Sequence, residues 1–498
     1  MTRVYLTTAI PYVNAAPHLG FALEAVQADV LARHHRQRGD EVRLLTGTDD
    51  NSLKNVLAAQ AAGVPVREFV DRNAEAFAAL RGPLALSCDD FIRTSRDPRH
   101  ETGVRRLWHA CAAAGDLYRA RYEGLYCVGC EHYLTEDELD GGCCPEHRVP
   151  PTRIAEENWF FRLSRYADRI HEAIACGRLR IEPAGRRNEV LSFIEGGLRD
   201  FSVSRSQARA RGWGISVPGD DGQVVYVWWD ALGNYLTSLD YGGDERAYQT
   251  WWAGADRRVH VIGKGVLRFH AVYWPAMLLS AGLPLPTDIL VHDYLTVDGR
   301  KISKSSGTRV DPVELVHRYG TDAVRWWLLR EVPRVGDADF TVARMVGRAN
   351  EDLAGGIGNL VNRVVTMVHR YRDGRPDPAR VLGDLPETCR AVPEVVAEAL
   401  ADLDFRRAIA AVWTIVEQAN RYIERERPWE LARAERAGDP YASERLNDCL
   451  SGLVEACRFL GERLAPFLPD ASARVLAQCT PVGGLLPPAE PLFPRIDA

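Results

Sequence analysis

The first fifty residues limit the fold more than any other stretch. Residues 4–8, Val-Tyr-Leu-Thr-Thr, have the apolar and β-branched composition of a buried strand. Residues 22–38 carry Leu23, Val26 and Val30 at helical spacing, and Gly39 supplies the stop. Residues 41–49, Glu-Val-Arg-Leu-Leu-Thr-Gly-Thr-Asp, repeat the buried-strand pattern. Strand, helix and strand in this succession predict a right-handed βαβ unit, a parallel sheet and an α/β fold. Ligands of such sheets bind beyond the carboxyl ends of the strands. Pro17-His18-Leu19-Gly20-Phe21 falls at the first strand-to-helix turn and Asp49 at the end of the second strand, so both can face one crevice. A helix N-terminus there offers N–H groups and partial positive charge to phosphate. Neither Gly-x-Gly-x-x-Gly nor Gly-x-x-x-x-Gly-Lys-Ser/Thr occurs at this turn. On the residues alone, a Pro-His at a helix start is more often a cap than a catalytic group, and His18 reads first as a cap. Asp49 reads equally well as an N-cap, a role also open to Asn51 or Ser52.

A length of 498 residues exceeds one core and predicts two to four folded units. The 46% hydrophobic and 26% charged content is that of a folded globular chain. A net charge of −6 excludes a generally basic nucleic-acid coat but not local basic patches. No apolar run reaches membrane length and the N-terminus has no apolar leader core, so a cytoplasmic protein with no membrane contact is expected. Seven of the eleven cysteines are scattered and four cluster between Cys127 and Cys144. That distribution suits a reducing compartment with one metal site better than a disulfide framework.

Residues 53–118 are mostly helical in pattern. Residues 119–126 alternate like a strand and lead into Cys127-Val-Gly-Cys130, with Cys144-Pro-Glu-His147 following. Two knuckles of this spacing supply four ligands to a tetrahedral zinc ion, and four protein ligands leave no open position for catalysis. Cys143 or His132 can replace one ligand, but the spacing favours Cys127, Cys130, Cys144 and His147. Residues 224–230 and 259–264 read as two further strands and 265–279 as a helix. Those two strands can line an apolar pocket the size of one side chain, although Trp228 and Tyr235 alone read as core. Residues 297–307 hold Lys301, Ser303, Lys304 and Ser305 in a donor-rich loop fit to clamp a polyphosphate, or to serve as a solvated turn. From residue 311 the chain is helical. Leu353, Ile357, Leu360 and Val364 mark a core stripe, Asn359 and Arg363 share a face, and Trp429 sits at a helix start. Amide, guanidinium and indole are groups that bond to and stack on unpaired bases. The Pro-rich residues 485–498 form a tail, docked or loose.

With these residues together, the chain resembles the class I aminoacyl-tRNA synthetases, and within them the methionyl-tRNA synthetase family, over nearly its whole length. Pro17-His18-Leu19-Gly20-Phe21 is similar to the His-Ile-Gly-His signature and Lys301-Ile302-Ser303-Lys304-Ser305 to Lys-Met-Ser-Lys-Ser. Gly47-Thr48-Asp49 resembles the start of Gly-Thr-Asp-Glu-His-Gly. Residues 226–235 and 260–270 resemble the family's methionine-pocket segments, and the knuckles its zinc-bearing insertion. The resemblance implies activation of L-methionine by ATP to methionyl-adenylate, with transfer to the 3′-terminal adenosine of tRNA(Met). It implies that His18, Lys301 and Lys304 are catalytic, with Gly20, Ser303 and Ser305 also at the ATP site. Asp49 would take the substrate ammonium. Ile10, Tyr12, Trp228, Ala231, Leu232, Tyr235, Val266 and His270 would surround the side chain. Asn359, Arg363 and Trp429 would read the anticodon, one structural Zn²⁺ would sit in the knuckles, and Mg²⁺ would arrive with ATP.

The implied architecture is a Rossmann-type parallel-sheet catalytic domain in two halves (1–115 and 223–290) around a zinc-bearing insertion (116–222). A stem-contact segment (291–347) and an all-α anticodon-binding bundle (348–498) follow. The chain ends at that bundle, so a monomer is expected. Phe21 stands where the signature has its second histidine, Asp50-Asn51-Ser52 replaces Glu-His-Gly, and Gly265 replaces an acid after Gly-Lys. All three fall close to the implied ATP site, which leaves room for a paralogue specialised in inhibitor resistance or biosynthetic amino-acid activation. A catalytically silent tRNA-binding protein is the reading from a different class, and both signature lysines oppose it.

Overall fold

The computed structural model of the chain describes residues 1–129, 132–145, 148–302, 310–377 and 384–497. It forms two compact units, one of residues 1–28, 38–81 and 87–292 and the other of residues 29–37, 82–86 and 293–498.

The first unit is built on a six-stranded sheet of β1 (Arg3–Thr8), β2 (Glu41–Thr48), β3 (Asp90–Arg93), β4 (Arg180–Glu182), β5 (Arg257–Gly263) and β6 (Asp288–His292). The strand order is β3-β2-β1-β5-β6-β4 and every neighbouring pair is parallel. A parallel sheet needs cover on both faces, and Val4, Tyr5 and Leu6 of β1 are accordingly buried. Helix α1 (Leu19–Gln37) follows β1, and its Leu23, Val26 and Val30 are completely buried. The chain passes to β2 and β3 on one side of β1 and to β5 and β6 on the other, which opens a crevice beyond the carboxyl ends of β1 and β5. This is the Rossmann-type parallel-sheet arrangement expected from the sequence.

Two local readings need correction. Residues 53–118 contain α2 (Leu53–Ala61), α3 (Val66–Ala79) and α4 (Pro98–Ala113), but also the strand β3. β3 is four residues long at the sheet edge and only its Ile92 is buried, so it carries almost no periodic signal. Its close approach is why Gly47 must lack a side chain, since a Cβ there would lie 2.3 Å from the Ile92 carbonyl oxygen. The second correction concerns residues 224–230. The strand ends at Val225, and α5 (Val227–Thr237) begins two residues later. All of α5 except Trp228 is buried, and a helix buried nearly all round shows the same unbroken apolar run as a buried strand. Residues 264–280 are helical as expected, in three short pieces. The insertion carries an antiparallel sheet that includes Leu117–Cys127, His132–Leu134 and Thr152–Phe161.

In the second unit, three short strands precede a helical region that includes α6 (Asn359–Arg372), α7 (Phe405–Glu426), α8 (Pro428–Arg436), α9 (Ala442–Leu464) and α10 (Pro469–Cys479). Leu353, Ile357, Leu360 and Val364 are buried, as their spacing requires. The tail is docked: the Leu486 N–H donates to the Gly374 carbonyl and Asn350 bonds both backbone groups of Ile496. Arg325 is fully buried and donates to the Leu84, Pro466 and Phe467 carbonyls at 2.8–3.1 Å, with Asp29 2.8 Å away as its counter-ion. Replacing it with Met would strand a buried carboxylate and three carbonyls. Arg325→Met is expected to cost about 3–5 kcal/mol of stability, read as a fall in the denaturant midpoint. No helix among the described residues is long and apolar enough to cross a membrane.

Candidate active site

The crevice begins with the chain leaving β1. Tyr12 bridges in parallel to Asp49, and the Asp49 N–H donates to the Pro11 carbonyl at 2.9 Å, so both strand ends open at one place. His18 immediately precedes α1. Its Nδ1 accepts the Gly20 N–H at 3.1 Å, and its carbonyl accepts the Phe21 and Ala22 N–H groups. The imidazole lies over Gly20 so closely that a Cβ there would meet Cε1 at 3.0 Å. The capping reading of His18 is therefore correct, and it fixes the ring at the mouth of the helix. Asp49 does not cap α2. Ser52 does, accepting the Lys54 N–H, while Asp49, just past the end of β2, accepts the Asn51 N–H on Oδ1 at 3.3 Å. Asp49 is 1% exposed. Phe21 turns into a small apolar cluster and meets Phe77 edge-to-face at 5.1 Å.

Beside this carboxylate stands a group of aromatic side chains. Trp228, Ala231, Leu232 and Tyr235 follow at intervals of three, one and three along α5. The Tyr12 ring meets Trp228 edge-on at 6.2 Å and Phe269 stacks on Trp228 at 3.7 Å. The Trp228 indole Nε1 is buried with no hydrogen-bond partner among the described residues. His270 Nδ1 lies 2.9 Å from the Val266 carbonyl and must donate to it, which makes Nε2 the acceptor for the Tyr235 hydroxyl at 2.7 Å. Ile10, Trp228 and Val266 pack half-buried against the same core that holds Leu232 and Tyr235. All eight residues expected around the substrate side chain thus lie in this unit.

Burial pushes the His270 imidazole down to about 4, and His260, 4.2 Å from Tyr235, well below its ordinary value. Burial likewise holds the Tyr235 phenol protonated. The box is uncharged at neutral pH. Because His270 protonates near 6.5 when unfolded and near 4 when folded, the unfolded chain binds the extra proton between those values. Stability is then full above pH 6.5 and falls as pH drops toward 4, by about 3 kcal/mol from this residue. The check is urea unfolding from pH 7 to 4, in which His270→Gln should flatten the slope.

The remaining expected residues fall elsewhere. Cys127 ends its strand and Cys144 follows a tight Asp140–Cys143 turn; both are 1% exposed and share one small cluster with Leu125, Leu134 and Leu139. Cys143 itself is only half-buried. Cys130 and His147 lie outside the described residues, as does the side chain of His132, and no group of three candidate metal ligands occurs among those described. Ser303, Lys304 and Ser305 are likewise outside them; of Lys301 the backbone is described, paired with Thr296. In the second unit, Asn359 opens α6 and Arg363 follows one turn later, its guanidinium 5.8 Å from the Trp429 ring centre. Trp429 stands at the second position of α8.

Residues 4–153 and 148–365 match the family described as tRNA synthetases class I (M). A methionine–tRNA ligase of Caldanaerobacter subterraneus subsp. tengcongensis is 41% identical over 480 residues, covering 95% of this chain and 73% of its own length. That of Brucella suis is 39% identical, covering 99% and 98%. The structure of Mycobacterium tuberculosis methionyl-tRNA synthetase in complex with methionyl-adenylate superposes with a TM-score of 0.93 at 38% identity, covering 99% and 100%. The chain belongs to the class I tRNA synthetases (M), the methionine–tRNA ligase family.

Sequence reasoning missed several members of this synthetase's crevice. Phe269 and His260 complete the aromatic box, and both lie in the segment that resembled a pocket motif; their adjacency to Val266 and His270 was the available signal. Asp230 and His100 are buried polar residues whose partners lie far away in sequence, at Asn51 and Thr237. No local pattern announces such a contact.

Proposed function

We propose that the chain acts as a methionine–tRNA ligase, activating L-methionine with ATP and transferring it to the 3′-terminal adenosine of tRNA(Met). The observation that carries this reading is the buried Asp49 carboxylate beside an uncharged aromatic box. The carboxylate suits the substrate ammonium through a charge-assisted bond. The box suits a thioether, which has little to hydrogen-bond and is selected by shape and polarizable contact. Ile10, Tyr12, Trp228, Ala231, Leu232, Tyr235, Val266 and His270 supply that shape, with Phe269 behind Trp228.

The methionine carboxylate attacks the α-phosphorus of ATP and pyrophosphate leaves, so no covalent enzyme intermediate is needed. The barrier falls by stabilising phosphate charge. His18 takes this role at the N-terminus of α1, aided by Gly20 and the helix N–H groups. Lys301 and Lys304 take it from their own loop, with Ser303 and Ser305 as further donors. ATP brings Mg²⁺. We assign Cys127, Cys130, Cys144 and His147 to one structural Zn²⁺. The burial of Cys127 and Cys144 in a cluster that, among the described residues, is too small to stand as a core supports this fit. Metal analysis of the purified chain should find about one zinc per chain, and Cys127→Ser should lose it.

Asn359, Arg363 and Trp429 are assigned to the anticodon, supported by the Arg363–Trp429 contact on a partly exposed face. The functional segments follow the boundaries 1–115, 116–222, 223–290, 291–347 and 348–498. Charging of tRNA(Met) with labelled methionine tests the whole reading. Trp429→Ala should lower charging through the KM for tRNA by about 10- to 100-fold, the loss of one stacked base, while ATP–pyrophosphate exchange holds.

A further inference from the structure

A buried polar chain runs beneath the crevice. Asn51 Nδ2 donates to Asp230 Oδ2 at 2.7 Å, and the other oxygen of Asp230 is hydrogen-bonded to His100 Nε2. His100 Nδ1 lies 2.8 Å from Thr237 Oγ1. Asp230 is 1% exposed and His100 is fully buried, so neither group has water to fall back on. Each end is itself anchored. On one side the Asn51 N–H donates to Asp49, Asn51 Nδ2 also reaches the Thr94 carbonyl, and Asn55 donates to the Asp49 and Asp50 carbonyls. On the other side α4 packs tightly on α5 at Gly103, where a Cβ would lie 2.5 Å from Thr237 Cγ2. Asp230 shares α5 with Trp228, Ala231, Leu232 and Tyr235. The chain therefore ties the loop holding the carboxylate of Asp49 to the helix holding the side-chain box.

We propose that Asn51, Asp230 and His100 form a positioning device that sets the distance between the ammonium acceptor and the thioether box, and so determines the length of substrate accepted. The proposal rests on the methionine site described above. An amino acid with a charged head and an apolar tail is measured between two fixed points, and small misplacement of either point is costly in rate. Asp230 and Asn51 touch no substrate atom in this scheme; they act through Asp49 and α5.

The test is ATP–pyrophosphate exchange with methionine, with S-methylcysteine (one methylene shorter) and with homomethionine (one longer), for the wild type, Asp230→Asn and Asn51→Ala. Asp230→Asn keeps the shape and weakens both charge-assisted bonds, whereas Asn51→Ala leaves the Asp230–His100 pair intact. In both variants kcat/KM for methionine should fall on the order of tenfold, mainly through KM, with the KM for ATP unchanged. The preference for methionine over at least one homologue should fall by a similar factor. Equal losses on all three amino acids, or a parallel rise in the KM for ATP, would overturn the proposal by marking the chain as merely structural. Asn51→Ala carries the test if Asp230→Asn fails to fold. Absence of methionine-dependent exchange in the wild type would instead overturn the underlying site assignment, and the proposal with it.

Discussion

Asp49→Asn should lower kcat/KM for methionine in the exchange reaction by between about 30-fold and a few thousandfold, with the KM for ATP unchanged. The substitution preserves size and can still accept the Asn51 N–H, so it removes charge with little change of shape. The magnitude follows from burial. At 1% exposure the carboxylate is shielded from water, and a charge pair formed there with the proposed substrate ammonium would be worth far more than one at the surface. Circular dichroism should show the fold intact. A variant that bound methionine normally would remove Asp49 from the site.

His18→Ala should cut kcat of adenylate formation by about 10²- to 10³-fold, the usual loss when one preorganised donor to developing charge is deleted. Methionine binding measured without ATP should hardly move, because the aromatic box does not include His18. The same side chain caps α1 through Gly20, so a stability loss of about 1 kcal/mol should accompany the kinetic one. The two effects separate cleanly. Loss of cap alone lowers the denaturant midpoint but leaves kcat per folded molecule untouched, whereas the phosphate role lowers kcat per folded molecule. Equal methionine-binding and kcat losses would show that the substitution disturbs the whole crevice.

Much of this site is legible in one dimension because its parts lie at strand ends next to their own motifs. β1, α1 and β2 announce themselves by apolar periodicity, and the turn between β1 and α1 brings His18 with it. β3 was hidden because four residues at a sheet edge bury a single side chain. The first turn of α5 was hidden for the opposite reason, since residues 227–230 continue the apolar run of the strand before them. The correct signal was nevertheless present: Trp228, Ala231, Leu232 and Tyr235 fall at zero, three, four and seven, the spacing of one helix face. In a strand those four positions would split between opposite faces, Trp228 and Leu232 on one and Ala231 and Tyr235 on the other, whereas the helix brings them to one face. Asp230, His100 and Asn51 were beyond reach. Their hydrogen bonds span 130 and 179 residues, and neither propensity nor spacing carries that distance.

Phe21 shows how a departure from a motif acquires a physical meaning. Its ring packs edge-to-face on Phe77, in a cluster with Val13, Val70 and Ala74. The helix keeps its N-terminal N–H groups and His18, and in place of a second imidazole it gains apolar packing against α3. The phosphate role proposed for this turn therefore falls to His18, with no second imidazole beside it in the signature.

Amino-acid-dependent ATP–pyrophosphate exchange, run on the full chain with each of the twenty amino acids, tests the central claim most directly. A buried carboxylate beside an uncharged aromatic box predicts exchange with methionine well above every other amino acid, and lowered by the factors given above in His18→Ala and in Asp49→Asn. Exchange driven best by a charged or hydroxyl-bearing amino acid, or none above background with methionine, would contradict it.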